Sequence, residues 1–208
     1  MNFYREQVVP RLVNVACGSP VINRWRRRAC DGLAGDVVEV GFGSGLNIPF
    51  YPPAVTQVHA VEPADVAVKL AADGMAHSPV PIHRVGLDGQ NLPLMDASCD
   101  AALITFTLCT VAEPALVLRE LRRVLKPGGE VHFLEHGLAP TSAVAWWQEK
   151  IEPLQQRVAN GCHLTRSAVP LLRESGFDVK WVEQGFARGP KPWSYFSVGV
   201  ATSPGPMA

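Results

Sequence analysis

Ten residues, Asp36-Val37-Val38-Glu39-Val40-Gly41-Phe42-Gly43-Ser44-Gly45, constrain this chain more than any other stretch. Val37, Val38 and Val40 are β-branched and suit a short buried strand. Three glycines, Gly41, Gly43 and Gly45, follow at alternate positions. Glycine takes φ > 0 at little cost and lets a ligand come close to the backbone. A strand that breaks into such a loop and then a helix makes a nucleotide-type pocket, with helix N–H groups facing it. A dinucleotide fingerprint, G-x-G-x-x-G, would place its third glycine at position 46, where Leu46 stands. The pattern here is E-x-G-x-G-x-G. A tight strand-to-helix turn can also need glycines for packing alone.

Acidic residues after the next strands sharpen the reading. Thr56 to Val61 reads as a second strand ending in Glu62-Pro63. A carboxylate there can accept hydrogen bonds from both ribose hydroxyls of a nucleoside. The plainer reading is an ordinary strand-end carboxylate. Ile82 to Leu87 reads as a third strand, followed by Asp88-Gly89. Asp88 can accept from an adenine amino group while the Gly89 N–H donates to a ring nitrogen. The alternative is a turn aspartate. Ala101 to Phe106 is nearly all apolar, as a central parallel strand should be. Thr105 to Thr110 leave it at the sheet's carboxyl edge, where ligands bind in open α/β sheets.

The rest of the chain supplies helices and the far half of the sheet. Residues 3–30 carry apolar residues at helical spacing, and Arg24, Arg26, Arg27 and Arg28 read as a solvated basic face. Contact with an anionic substrate or a lipid headgroup is the other reading of that cluster. This segment, residues 1–34, is expected to cover the pocket mouth, with Tyr4 a lid candidate. The prolines of 47–53 allow only a short helix. Asp65 is expected to cap a helix over 66–75, with Ala67, Leu70 and Ala71 on the sheet. Glu113-Pro114 opens an amphipathic helix that Lys126-Pro127-Gly128-Gly129 stops, and 130–135 is a fifth strand. Helices follow at 140–160 and 167–175. Two last strands, 179–183 and 195–201, are expected to pair antiparallel. The tail 203–208 is expected to be disordered.

Length and composition fit a globular domain over 1–202 within the 208 residues. Lys+Arg and Asp+Glu are 19 each, so no net field favours nucleic acid. No N-P-P-Y-type motif follows the fourth strand either. The five cysteines show no C-x-x-C spacing, and neither a disulfide framework nor a metal site is expected. No run of about 18 apolar residues is present, so no spanning helix is expected. Residue charges near the start leave no signal-peptide core. A cytoplasmic enzyme is the expectation, with peripheral membrane contact left open.

Taken together, the glycine loop, Glu62, Asp88-Gly89 with Leu92-Pro93, and L-x-E-L-x-R-V-L-K-P-G-G at 118–129 resemble the class I S-adenosylmethionine-dependent methyltransferases. The resemblance implies an α/β, doubly wound, seven-stranded, mostly parallel sheet in the order 3-2-1-4-5-7-6. It implies S-adenosylmethionine as cofactor, no metal, and a small-molecule substrate. Gly45-Leu46-Asn47, Phe50-Tyr51-Pro52-Pro53, Thr107 to Val111, Phe133 to His136 and Gly161 to Arg166 are similar to the methyltransferase-like alkyl thiol methyltransferases. Those relatives carry a hydrophobic N-terminal anchor, and none is expected here, which puts membrane residence and a preference for lipophilic thiols in question.

The candidate cofactor residues are Gly41, Phe42, Gly43, Gly45, Asn47, Glu62, Pro63, Asp88, Gly89 and Thr105. His136 and His163 are the candidate general bases. Glu135 can hold a histidine tautomer or bond to backbone. Trp146, Trp147 and Cys109 are candidate pocket residues, with one tryptophan expected in the core because adjacent helix residues do not share a face. Thiol sulfur is the first-choice acceptor. Oxygen or nitrogen of a heterocycle, a phospholipid amine, or cofactor binding without turnover are the alternatives.

Overall fold

The computed structural model describes residues 4–204, with Arg5 and Glu6 described in backbone only. Period-two alternation along the strands decides how the sheet is covered. Val38 and Val40 of β1 (Gly35–Val40), Ala102 and Ile104 of β4 (Cys99–Thr105), and Val131 and Phe133 of β5 (Leu125–His136) share one core. That core is closed by Val117, Leu118 and Leu121 of α4 (Pro114–Val124) and by Ala168 and Leu172 of α6 (Ala168–Glu174). The intervening Val37, Ala101, Leu103 and Leu134 face the opposite core, with Ile22, Trp25 and Ala29 of α2 (Pro20–Cys30). Each fully buried leucine in these layers is worth roughly 1.5–3 kcal/mol.

With β2 (Val55–Val61), β3 (Ile82–Gly86), β6 (Asp178–Phe186) and β7 (Tyr195–Thr202), the sheet runs β3-β2-β1-β4-β5-β7-β6. This is the order the resemblance implied. The first five strands in chain order are parallel, and β7 lies antiparallel to both β5 and β6. The strand order reverses between β1 and β4, which opens a crevice at their carboxyl ends.

Several local expectations need correction. The N-terminal segment is not one helix: a π turn (Tyr4–Val8) and α1 (Val9–Cys17) precede α2. Pro20 forces the break, because Ser19 before it adopts ψ 134. Phe3 lies outside the described residues. In α3 (Asp65–Ala76) the cap position is Ala64, and Asp65 instead accepts from Arg84 Nη1 at 2.7 Å. Val66, Ala67 and Ala71 face inward, while Leu70 is 42% exposed. β5 begins directly at Leu125, so Lys126 to Gly129 form a bulge in the strand, with a register shift opposite Cys99 and Ala101. Ser203 is buried, and its N–H donates to Gly129 O at 2.8 Å, so the ordered chain reaches further than expected. Residues 205–208 lie outside the described residues. Among the described residues no helix is long and apolar enough to cross a membrane.

Candidate active site

The three loop glycines have three different reasons to be glycine. All have positive φ: 76° at Gly41, 60° at Gly43 and 73° at Gly45. A Cβ on Gly41 would sit 2.0 Å from Thr107 Oγ1, and one on Gly45 would sit 2.6 Å from Ile48 Cδ1. At Gly43 the nearest atom is Gly41 O at 3.8 Å, so this face alone is open. The Phe42 side chain points away from the loop, into a core with Ala60 and Ala71. A short 3-10 turn, Ile48–Phe50, follows.

Glu62 stands at the end of β2, buried. Its Oε2 accepts from Gly43 N at 2.9 Å and its Oε1 from Ala64 N at 2.8 Å. Burial pushes its pKa up, against those two backbone bonds and the Arg84 charge. A carboxylate has about four lone-pair sites, so each oxygen keeps one to offer. Pro63 beside it is exposed. Asp88 is exposed and its Oδ1 accepts from Gln90 N at 2.8 Å, the geometry of an Asx turn. Gly89 allows a close approach, since a Cβ there would lie 2.5 Å from Val40 Cγ1.

A buried polar network closes the crevice between β1 and β4. Arg26 is 3% exposed. Its Nη1 donates to Asn47 Oδ1 at 2.7 Å and to Thr105 Oγ1 at 3.3 Å, and its Nη2 donates to Cys17 O at 3.2 Å. Asn47 Nδ2 donates to Glu39 Oε1 at 2.8 Å and to Thr105 Oγ1 at 2.9 Å. The Tyr51 hydroxyl donates to Glu39 Oε2. Both N–H groups and the carbonyl of Asn47 are therefore engaged within the protein, which fits a positioning role for it. Burial pushes the Glu39 pKa up to about 7, opposed by Tyr51, Asn47 and Arg26. Burial lowers the Arg26 pKa, yet a guanidinium stays protonated at neutral pH. The basic cluster is thus split. Arg24, Arg27 and Arg28 line a separate outer cleft of about 420 Å³ with Phe50 and Glu183, and Arg26 points inward.

Glu135, on β5, bonds backbone rather than a histidine. It accepts from the N–H groups of Thr107, Leu108 and Cys109 at 2.7, 2.9 and 3.2 Å. Burial pushes its pKa up to about 7 against these three bonds. It thereby fixes the loop that follows Phe106, whose φ of 54° is strained for a side-chain-bearing residue. Cys109 is buried, with its Sγ 3.7 Å from Cys162 Sγ. His163 joins the same region through its N–H to Cys109 O at 2.7 Å. Its Nδ1 lies 2.9 Å from Glu152 Oε1, and Leu164 N holds Glu152 Oε2 at 2.8 Å. Gln156 Nε2 lies 2.9 Å from the same Nδ1.

His136 belongs to a different cluster. Its ring lies 5.0 Å from Phe106 and 5.4 Å from Phe196, and Trp25 meets Phe196 at 5.7 Å. Arg26 sits over the Phe106 ring at 5.6 Å. A cleft of about 150 Å³ is lined by Ala16, Ile22, Pro190, Trp193 and Phe196. Trp146 and Trp147, expected at the pocket, are 50% and 55% exposed, so neither is in the core. The buried residue of α5 (Ser142–Val158) is Gln148, which accepts from Ala139 N at 2.8 Å and donates to Gly137 O at 3.0 Å.

Burial lowers the His136 pKa to about 4. Above pH 6.5 the ring is neutral in both folded and unfolded chains. Between 6.5 and 4 only the unfolded chain takes up the proton, so acid erodes stability through this group. His136→Phe is expected to remove that loss. Its unfolding free energy relative to wild type should rise as pH falls from 6.5 to 4, measured by urea titration. A difference independent of pH would contradict the burial of a neutral ring.

Comparisons with known proteins settle the kind of ligand. Residues 38–133 match the family described as Methyltransferase domain. The thiol S-methyltransferase TMT1B of Homo sapiens is 35% identical over 174 residues, covering 81% of this chain and 69% of that protein. The chain is a class I S-adenosylmethionine-dependent methyltransferase. The thiol S-methyltransferase TMT1B of Rattus norvegicus is 35% identical over 167 residues, covering 78% of this chain and 66% of that protein. This methyltransferase therefore spans about two thirds of the length of these curated relatives. Its fold is that of a SAM-dependent methyltransferase structure from Thermotoga maritima, with a TM-score of 0.69, 22% identity and 97% coverage of both chains. The residues present fit S-adenosylmethionine: an open face at Gly43, free lone pairs on Glu62, and a buried Arg26 Nε with no partner. No group of His, Cys, Asp or Glu among the described residues could hold a metal.

Proposed function

We propose that this methyltransferase methylates the sulfur of a small apolar thiol. The observation that carries the reading is the aromatic wall of Phe106, His136 and Phe196, with its histidine held neutral by burial. An imidazole whose conjugate acid has a pKa of about 4 is a weak base. A thiol of pKa about 8.5 is partly ionised near neutrality without help, whereas a hydroxyl needs a base. The relatives' name as thiol S-methyltransferases supports the same choice. The cleft bounded by Ile22, Trp193 and Phe196 is the acceptor's entrance on this reading, and its volume of about 150 Å³ suits a short chain.

When bound, S-adenosylmethionine supplies a sulfonium methyl that is already electrophilic. The chain's task is to align and to keep water out, and alignment alone can contribute roughly 7–11 kcal/mol. Gly41, Gly43 and Gly45 shape the loop, Glu62 takes the ribose hydroxyls, and Asp88 with the Gly89 N–H faces the adenine. Asn47, Thr105 and Glu135 hold the walls. Of the N-terminal segment, the described residues 4–34 act as a cap, latched where Ser44 Oγ donates to Asn14 Oδ1 at 2.6 Å and Tyr4 donates to Val158 O at 2.8 Å. Glu62→Ala is expected to weaken S-adenosylhomocysteine binding by about 1–3 kcal/mol in calorimetric titration. Unchanged affinity would remove the ribose assignment.

The His163–Glu152 pair favours a second reading, oxygen methylation assisted by a general base. Alkyl thiols, phenols, hydroxyquinolones and amines, scored by S-adenosylhomocysteine release, separate the two. Turnover on thiols that survives His163→Ala supports sulfur. Turnover confined to oxygen or nitrogen acceptors overturns it.

A further inference from the structure

Arg26 is a buried cation with no ion pair among the described residues. Its three bonds go to neutral oxygens, those of Asn47, Thr105 and Cys17. Among the described residues no carboxylate forms an ion pair with it. Glu39 acts on it through space and is bridged to it by Asn47, which accepts from Arg26 and donates to Glu39. Burying a charge without a paired charge is costly, so such groups normally have a partner. The Nε–H is buried and makes no hydrogen bond among the described residues. Nε–H and one Nη2–H lie along the same edge of a guanidinium, and that edge matches the two oxygens of a carboxylate.

The position says which carboxylate. Arg26 touches Asn47, two residues beyond Gly45, and Thr105, the last residue of β4. Glu62, at the end of β2, meets the loop at Gly43. The nucleoside end and the cation thus meet the glycine loop at different places, across the β1–β4 crevice. S-adenosylmethionine carries ribose hydroxyls at one end and an α-carboxylate at the other. We propose that the free edge of Arg26 binds the α-carboxylate of the cofactor's methionine end. The N-terminal cap then belongs to the cofactor site, since Arg26 sits on α2 and holds the end of α1 through Cys17 O.

The inference rests on the cofactor alone and is independent of the acceptor. 5′-Methylthioadenosine keeps the nucleoside and the sulfur but lacks the amino-acid end, so it serves as the control ligand. Calorimetric titration of wild type, Arg26→Met and Arg26→Lys with S-adenosylhomocysteine and 5′-methylthioadenosine tests it. Arg26→Met should bind S-adenosylhomocysteine about 10- to 100-fold more weakly, the range for losing hydrogen bonds to a charged group. Its affinity for 5′-methylthioadenosine should stay within about twofold of wild type. Arg26→Lys, which keeps the charge and loses the edge, should fall between. Equal losses for both ligands would assign Arg26 a structural role and overturn the proposal. Unchanged affinity for both, with a raised KM for a thiol, would overturn it in favour of acceptor binding. If Arg26→Met does not fold, Arg26→Lys gives the same ratio. Wild type titrated with decarboxylated S-adenosylhomocysteine must also show the loss, and full affinity there would overturn the assignment without any mutation.

Discussion

Gly43→Val should give a folded protein that no longer binds S-adenosylhomocysteine. Of the loop glycines only Gly43 has open space on its Cβ side, where the nearest atom to an added Cβ is Gly41 O at 3.8 Å. On the proposed reading a side chain there stands instead where the cofactor approaches the backbone. A β-branched residue at φ 60° is also strained, at a cost of roughly 1–2 kcal/mol. That cost lowers stability without abolishing folding, because domains of this size have about 5–15 kcal/mol to lose. The block is steric, so the expected loss of affinity exceeds about 100-fold, or about 2.7 kcal/mol. Calorimetry, with circular dichroism to confirm folding, checks it. A folded Gly43→Val protein with wild-type affinity would sink the account of the loop. The same substitution at Gly41 or Gly45 is a poorer test, since it collides with Thr107 or Ile48.

Glu135→Leu should be among the most destabilising single changes in the chain. The side chain is buried and accepts from three consecutive backbone N–H groups. Leucine fills similar space but offers no acceptor. Each orphaned donor costs about 1–3 kcal/mol, so the total is on the order of 3 kcal/mol or more. Glu135→Gln retains one oxygen and should lose less. Chemical unfolding of the ligand-free protein measures both. A loss below about 1 kcal/mol for Glu135→Leu would mean that the 107–109 loop finds other partners.

The order of the sheet followed from the family resemblance rather than from periodicity, whereas the first strands and the glycine loop were legible because their signals are local. A strand, its glycine loop and the acidic end of the next strand lie within 36–62, and each reads from its neighbours. Arg26 was hidden in a run of like charges. Its phase was nevertheless informative: it falls four residues after Ile22, on the stripe that Trp25 and Ala29 also occupy. Helical spacing applied to the arginines themselves would have separated it from Arg24, Arg27 and Arg28. Trp146 and Trp147 misled for the opposite reason. Aromatic residues suggest burial, but α5 turns Gln148 inward to satisfy backbone groups of three connecting segments, including Leu164 O and Pro192 O. Such a requirement exists only once the fold is assembled. Glu135 is similar: nothing in Phe133 to His136 announces three N–H groups arriving from another strand's loop.

The aromatic wall draws Phe106, His136 and Phe196 from the ends of three strands, and two of these lie outside residues 38–133, which match the family. The glycine loop, Glu62 and Asp88 lie inside that stretch. On the proposed readings, the nucleoside end of the donor is handled inside that stretch, while Arg26 and most of the acceptor wall lie outside it. Exchanging the turn between β6 and β7 for that of a relative should retrain the enzyme toward new acceptors while leaving α2, and with it Arg26, in place. Evolution would have the same freedom: substrate range can drift at the rim without renegotiating the nucleotide pocket at the hub.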